Sequence, residues 1–418
     1  MIKAIKLRIY PNETEQVQIK KTIGSSRFLY NLMLAERNEV YERLKDDKKT
    51  LHNYQYKTEK QYKAKYPFLK EADSIALQAS REHLENAYSH FFNGLKKGRK
   101  VGYPRFKSKK GKETYTTKQV NNNIKIDFES KKIKLPKLRW LTYRDNRVFS
   151  ERIKHATIGR TKSNNYFVSL TLEAQEDIPL KHIIYEDDII AFDMSAKEFL
   201  VNDAIRLKNP RFYRSEEKKT RKLHKELARK EKGSKNWEKA KLKLAKHYEK
   251  ICNRKKDWTH KLTRKLADNY DAVILEDLNI KGMQQFNSGL SKSVSLDFSW
   301  HQFKTYLEYK MAWLGKHFVL VNRFFASSKL CSHCGQKTNE LSLAERVWTC
   351  SFCGTFHERD ENASINLKIE GVRILKKEKH ITIINHNDTS TVGTTESQAF
   401  GEDVRPIKIL ESCLGNFL

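Results

Sequence analysis

No stretch of this 418-residue chain approaches the ~18 to 20 consecutive apolar residues that a membrane-spanning helix requires, which excludes the transmembrane classes. The start, Met1-Ile-Lys-Ala-Ile-Lys-Leu-Arg8, is charged and alternating and lacks the apolar core of a secretory signal, so a soluble cytoplasmic protein is expected. Acid is in short supply: 51 Asp and Glu face 82 Lys and Arg, a net charge of +31. An excess of that size repels itself unless a polyanion is the usual partner, which makes nucleic acid the expected one. Cysteine is scarce as well, with six in all. Two disulfides would need an oxidising compartment, and nothing at the N-terminus points to one.

Four of those cysteines are nonetheless patterned. Cys331-x-x-Cys334 and Cys350-x-x-Cys353 are separated by the fifteen residues 335 to 349, which fits a tetrahedral Cys₄ zinc site. Gly335 and Gly354 follow the pairs and supply the positive-φ freedom that a tight turn around a metal needs. Four thiolates leave zinc no open position, so the site is read as structural. Cys252 and Cys413 remain over.

The positive charge is concentrated. Residues 206–265 hold 24 Lys and Arg against 7 Asp and Glu. The segment is interleaved with Leu223, Leu227, Trp237, Leu244, Tyr248, Ile251, Trp258 and Leu262, a spacing that predicts two amphipathic helices with basic outer faces. A second run, Lys96 to Lys112, carries nine basic residues and no acid around Gly102-Tyr103-Pro104-Arg105-Phe106-Lys107. Candidate phosphate contacts are Lys96, Lys97, Arg99, Lys100, Arg105 and Lys107 in this run, and Lys222, Arg229, Lys239, Lys243 and Arg254 in the first. Such contacts give affinity without reading sequence. Tyr103 and Phe106 could stack on bases or serve the core.

The N-terminal half reads as strand, helices, strands. Ile5, Leu7 and Ile9 alternate with Lys6 and Arg8, and Pro11-Asn12 stops that strand. Asn12 and Glu15 form a capping-box pattern for a helix over about 13–45, with Gly24-Ser25-Ser26 a candidate break. A second helix is predicted over 73–95, and strand signals return at 124–126, 133–135 and 166–172.

After Pro179, two short apolar runs end in acids: Ile189-Ile-Ala-Phe-Asp193 and Ala272-Val-Ile-Leu-Glu276. One buried strand ending in a carboxylate would suggest a helix cap. Two, joined by Asp360 seven residues beyond the last cysteine, suggest a site for one or two Mg²⁺ ions of the kind that hydrolyses phosphodiesters, since Mg²⁺ is hard and wants oxygen. Asp277 and Asp268 compete locally with Glu276, which is preferred because it directly follows the apolar run.

These residues carry a family resemblance. Phe192-Asp193-Met-Ser-Ala-Lys197-Glu-Phe199, Leu275-Glu276-Asp277-Leu278-Asn279, Ser327 to Gly335, and Arg359-Asp360-Glu-Asn362-Ala363 together resemble the TnpB proteins of bacterial insertion sequences, which are related to compact type V CRISPR effectors. Leu7 to Pro11, Arg27 to Asn31, Gly102 to Lys107 and Gly401 to Pro406 extend the resemblance nearly end to end.

The resemblance implies an α+β, multidomain protein, with an RNase H-like (RuvC) α/β nuclease domain, an inserted zinc ribbon, and an N-terminal β-barrel wedge domain holding a helical recognition insertion. The implied boundaries are wedge strand 1–12, recognition domain 13–112, wedge barrel 113–182, nuclease domain 183–327, zinc ribbon 328–357, nuclease C-terminal helix 358–372 and a tail, 373–418, without a fixed fold. It implies an RNA-guided DNA endonuclease with Asp193, Glu276 and Asp360 as its Mg²⁺ triad, in a two-metal site that Mn²⁺ could also fill, and Cys331, Cys334, Cys350 and Cys353 on Zn²⁺. The implied partners are a guide RNA derived from a transposon end and double-stranded target DNA, bound by a monomer on one RNA, in a prokaryotic cytoplasm and acting at the nucleoid. Base pairing would read sequence while Lys and Arg grip the backbone.

One position departs from the family pattern: Ser195 stands where Asp-x-Gly is usual. It leaves the carboxylate in place and is read as a tolerated variant. The alternatives are a guided DNA-binding repressor that does not cut and a CRISPR-adapted effector. A transposase in the strict sense is not expected, because no His-hydrophobe-His motif with a catalytic tyrosine occurs. His333 and His357 are read as surface or RNA-contact residues, since four thiolates already complete the metal site.

Overall fold

The computed structural model describes residues 2–174, 178–195, 198–285, 297, 299–338, 341–342 and 345–385. The chain divides into two compact units, residues 1–177 and 178–418. Among the described residues no helix is long and apolar enough to cross a membrane.

In the first unit, β1 (Ile2–Ile9) buries Leu7 and Ile9 and turns Lys6 and Arg8 outward, as its alternation requires. The helix α1 (Glu13–Leu44) opens on the expected capping box, with Asn12 Oδ1 accepting the Glu15 N–H and Glu15 Oε2 accepting the Asn12 N–H. It runs unbroken through Gly24-Ser25-Ser26. A mid-helix glycine costs only about 1 kcal/mol against alanine. Burial of Ile19, Ile23, Leu29 and Leu34 outweighs that, and Ser25 and Ser26 are themselves buried.

The helix α2 (Ser74–Lys96) follows, and then β2 (Glu113–Lys118), β3 (Lys125–Asp127), β4 (Lys132–Leu135), β5 (Arg139–Arg144), β6 (Arg152–Arg160) and β7 (Tyr166–Glu173). These strands form a seven-stranded sheet in the order β2-β6-β7-β1-β5-β4-β3. The first strand thus lies in mid-sheet, antiparallel to β7 and β5, although the helices intervene in sequence.

The second unit is built on β9 (Ile189–Phe192), β12 (Ala272–Glu276) and β13 (His317–Val321), which are parallel in the order β13-β12-β9. The strand β10 (Glu198–Val201) joins the end of β9 in the antiparallel sense through the Asp193–Val201 bridge and pairs with β11 (Arg206–Lys208). Both faces of this sheet are covered. Phe192, Val273 and Leu275 pack on one side with Phe199, Trp258 from α4 (Lys235–Asn269), and Trp300 and Phe303 from α5 (Trp300–Trp313). Ile189, Ala191, Ala272 and Ile274 pack on the other with Leu367 and Leu375 from α6 (Arg359–Lys377). Two-sided burial is why both strands read as unbroken apolar runs rather than as alternation.

The predicted basic helices are α3 (Glu217–Ala228) and α4, which pack as a hairpin. Thr220 Oγ1 lies 2.9 Å from His247 Nε2 inside that contact. The expectation that order ends at residue 372 is corrected: α6 continues to Lys377, and β16 (Thr382–Ile384) pairs in parallel with β8 (Ile183–Tyr185). Ile381 and Leu375 are buried there, apolar anchors that the polar composition of the segment masked. Residues 386–418, with Cys413 and the Gly401 to Pro406 motif, lie outside the described residues, as does Lys197.

Candidate active site and cysteine cluster

The strand register brings the first two acids together. Leu275 pairs with Phe192, so Glu276 and Asp193 stand side by side at the carboxyl ends of β12 and β9. Successive side chains alternate between faces. Asp193 therefore follows Ile189 and Ala191, and Glu276 follows Ala272 and Ile274, onto the face that α6 covers. The third acid, Asp360, is in the first turn of that helix. It precedes Leu367 and Gly371 at helical spacing, and these two residues lie against the sheet. The approach is close, since a Cβ at Gly371 would lie 2.3 Å from Ile274 Cδ1.

Electrostatics agree with the geometry. Burial, and then the charges of Asp360 and Glu276, push the Asp193 carboxyl up to about 7. Burial and the neighbouring Asp277 raise Glu276 above the usual carboxylate range. Asp277 itself bonds to Lys304 Nζ at 3.0 Å and to Arg323. It is thereby held in an ion-pair network. Arg346 Nη1 lies 3.3 Å from Asp360 Oδ1. Two residues after Asp193, Ser195 Oγ accepts the Glu198 N–H at 3.1 Å.

The four patterned cysteines converge, with their sulfurs all within 4.8 Å of one another. Each knuckle repeats the same turn. Cys331 N–H donates to Gln336 O and Gly335 N–H to Cys331 O; Cys350 N–H donates to Thr355 O and Gly354 N–H to Cys350 O. Gly335 and Gly354 have φ of 74° and 73°, the left-handed region that glycine enters freely. Cys331 and Cys350 are buried. Hydrogen bonds from Thr355 hold the Cys353 thiol down, to about 5. The donor chemistry and convergence fit one soft, tetrahedral ion such as Zn²⁺.

The reading of His357 as a surface residue is corrected. It is 7 % exposed, and its Nε2 lies 3.0 Å from Cys331 Sγ. Its place on β15 (Phe356–Glu358), opposite Trp348 on β14 (Val347–Thr349), turns it inward. His333 is exposed, as expected. Sequence reasoning also passed over Asn362 and Asn366, both buried beneath the first knuckle, and Arg206, which bridges Glu358 and Glu361. The two asparagines could have been found from their spacing of four, which sets them on the same helical face.

The candidate phosphate contacts fall in two places. In the first unit Lys96, Lys97, Arg99, Lys100 and Arg105 are exposed, and Lys107 Nζ sits 3.8 Å from the Tyr30 ring centroid. Phe106 and Tyr103 are both exposed, and Tyr103 also packs edge-to-face on Tyr88 and Phe91. In the second unit Lys222 and Arg229 join Lys218, Arg221, Lys225 and Lys230 along a concavity of about 520 Å³, with Glu226 the acid among them. Lys239 is exposed on α4. Lys243 pairs with Glu226 at 3.0 Å and Arg254 with Glu216 at 3.4 Å, so these two are already engaged within the protein.

Comparison with known proteins gives the lineage. The OrfB family described as a probable transposase matches residues 187–287, a helix-turn-helix domain model matches 1–46, and the Cas12f1-like TNB domain matches 300–367. Here the region 1–46 is one strand and a single long helix. A Streptomyces pristinaespiralis protein with the provisional name RNA-guided DNA endonuclease is 29% identical over 379 residues, covering 88% of this chain and 89% of its own. The Escherichia coli K12 protein InsQ, under the same provisional name, is 26% identical over 389 residues, covering 90% and 93%. In fold, the chain is similar to Cas12f1 solved with its guide RNA and target DNA, with a TM-score of 0.52, 14% identity, and coverage of 88% of this chain and 98% of that one. Matched from its first strand to the helix that bears Asp360 by insertion-sequence OrfB proteins and their kin, the chain belongs to the TnpB family.

Proposed function

We propose that this protein is a transposon-linked, RNA-guided DNA endonuclease of the RuvC type. It hydrolyses DNA phosphodiesters with Mg²⁺ at a target matched by its guide and lying beside a short flanking motif. The observation that carries the reading is the convergence of Asp193 and Glu276, from adjacent parallel strands, on the sheet face where α6 begins with Asp360. The mixed sheet, with β10 reversed beside three parallel strands, supports an RNase H-like domain over 183–327 and 358–372, interrupted by the zinc ribbon 328–357. The mid-sheet position of β1 supports a wedge domain of 1–12 and 113–182 that holds the recognition insertion 13–112. The relatives' names and the likeness to an effector solved with guide RNA and target DNA support the guided activity.

Asp193, Glu276 and Asp360 would hold Mg²⁺, which when bound supplies an activated water and stabilises the leaving oxygen. The chain's own part is arrangement. Burial strengthens every interaction at Asp193, Lys304 and Arg323 keep Asp277 ionised and out of the ligand set, and Arg346 balances Asp360. The cysteines would hold a structural Zn²⁺. Lys96 to Arg105 and the α3 concavity would grip phosphates of guide RNA and target DNA without reading bases. A guided repressor is the second reading, motivated by Ser195, but that serine's hydrogen bond to Glu198 supports a tolerated substitution.

The test is to purify the protein from cells carrying its native flanking DNA, sequence the RNA that accompanies it, and offer matching DNA with randomised flanks and Mg²⁺. Cutting beside one enriched flank is expected. RNA-dependent binding without cutting would overturn the endonuclease in favour of the repressor.

A further inference from the structure

The third carboxylate is mounted differently from the first two. Asp193 and Glu276 end strands locked in an apolar core, whereas Asp360 opens a helix whose first turns rest on the cysteine knuckle. Asn362 and Asn366, 2% and 5% exposed, stand one turn apart beneath that knuckle. Asn362 Nδ2 donates to Leu330 O at 2.7 Å, and its Oδ1 accepts the Ser332 N–H at 2.9 Å. Asn366 Nδ2 donates to the same Leu330 O and to Ser327 O, each at 2.8 Å. Leu330 and Ser332 flank Cys331. From the other side His357, three residues before Asp360, meets the sulfur of Cys331 itself. The helix start is therefore tied to one cysteine from two directions.

We propose that Asn362 and Asn366 are positioning residues that register Asp360 against the first knuckle, so that the metal in the cysteine cluster sets the geometry of the carboxylate site. This rests on the reading of Asp193, Glu276 and Asp360 as one metal-binding centre. Both ends of the Asn362 amide are used on the knuckle backbone, and hydrogen bonds weaken steeply with misalignment. A knuckle that loosens on metal loss releases these bonds, and Asp360 then drifts from the two strand-end acids while the core sheet stays intact.

The experiment uses the full chain with its co-purified RNA, with zinc content, retained RNA, Mn²⁺ affinity by electron paramagnetic resonance, and cleavage as readouts. Asn362→Ala and Asn366→Ala should keep zinc and RNA yet bind Mn²⁺ about 10 to 100-fold more weakly, as outer-shell losses do, and cut about 10²-fold more slowly. Wild type stripped of zinc by a chelator, then freed of the chelator, should show the same loss, reversed by restoring zinc. Wild-type Mn²⁺ affinity in the zinc-stripped protein, or in asparagine variants that retain zinc, would overturn the proposal. Asp360→Ala runs in parallel: if it leaves Mn²⁺ affinity unchanged, the carboxylate centre itself is wrong, not its coupling to the knuckle.

Discussion

Two parts of the second unit position the candidate acids by different means. The β9–β12 pair does so with hydrocarbon: Phe192, Val273, Ile274 and Leu275 are essentially inaccessible, and the carboxylates are simply the next residues along. Each such fully buried side chain contributes roughly 1.5–3 kcal/mol of burial. The knuckle and the first turn of α6 add polar groups and four thiols to that, although α6 itself packs on the core through Leu367, and Phe352 and Phe356 on the knuckle face solvent. A carboxylate fixed by a core is robust to ions, and one fixed by a metal cluster can be lost without unfolding the sheet.

The contrast can be broken or sharpened at graded cost. Asp193→Ala should lower Mg²⁺-dependent cutting by about 10³-fold or more while the RNA stays bound, as removal of a group acting within a catalytic set does; single-turnover cleavage measures it. Cys350→Ser should lose zinc and solubility and destabilise the ribbon by several kcal/mol, because metal binding is folding energy in such sites; metal analysis with thermal unfolding measures both. Leu275→Ala should cost about 2–5 kcal/mol of stability and, in contrast to the cysteine change, retain zinc.

The smallest effect is on pH. The raised Asp193 carboxyl binds its proton more tightly folded than unfolded, so in metal-free protein this group's contribution to stability falls as pH rises from the ordinary carboxylate range through about 7. Mg²⁺ must displace that proton. Its affinity should rise by up to about tenfold per unit between pH 5.5 and 7 and then level off, as titration calorimetry would measure.

Much of this was legible in sequence, for identifiable reasons. The runs Ile189 to Phe192 and Ala272 to Leu275 are too short and apolar to be anything but doubly buried strands, and the cysteine spacing speaks for itself. The capping box and the helix it starts were equally plain. What stayed hidden was tertiary. His357 looks like any surface histidine until the strand pairing with Trp348 turns it onto Cys331. Asn362 reads only as part of a motif, and Asn366 carries no signal of its own, until the knuckle backbone above them supplies their partners. The strand β16 has a polar neighbourhood and exists because β8 offers it an edge.

The most direct measurement is cleavage of guide-matched DNA, at equal RNA loading, by wild type and by the Asp193→Ala, Glu276→Ala and Asp360→Ala variants. Mg²⁺-dependent cutting of both strands by wild type alone is predicted. Cutting at wild-type rate by any of the three variants would contradict the account of a single three-carboxylate centre.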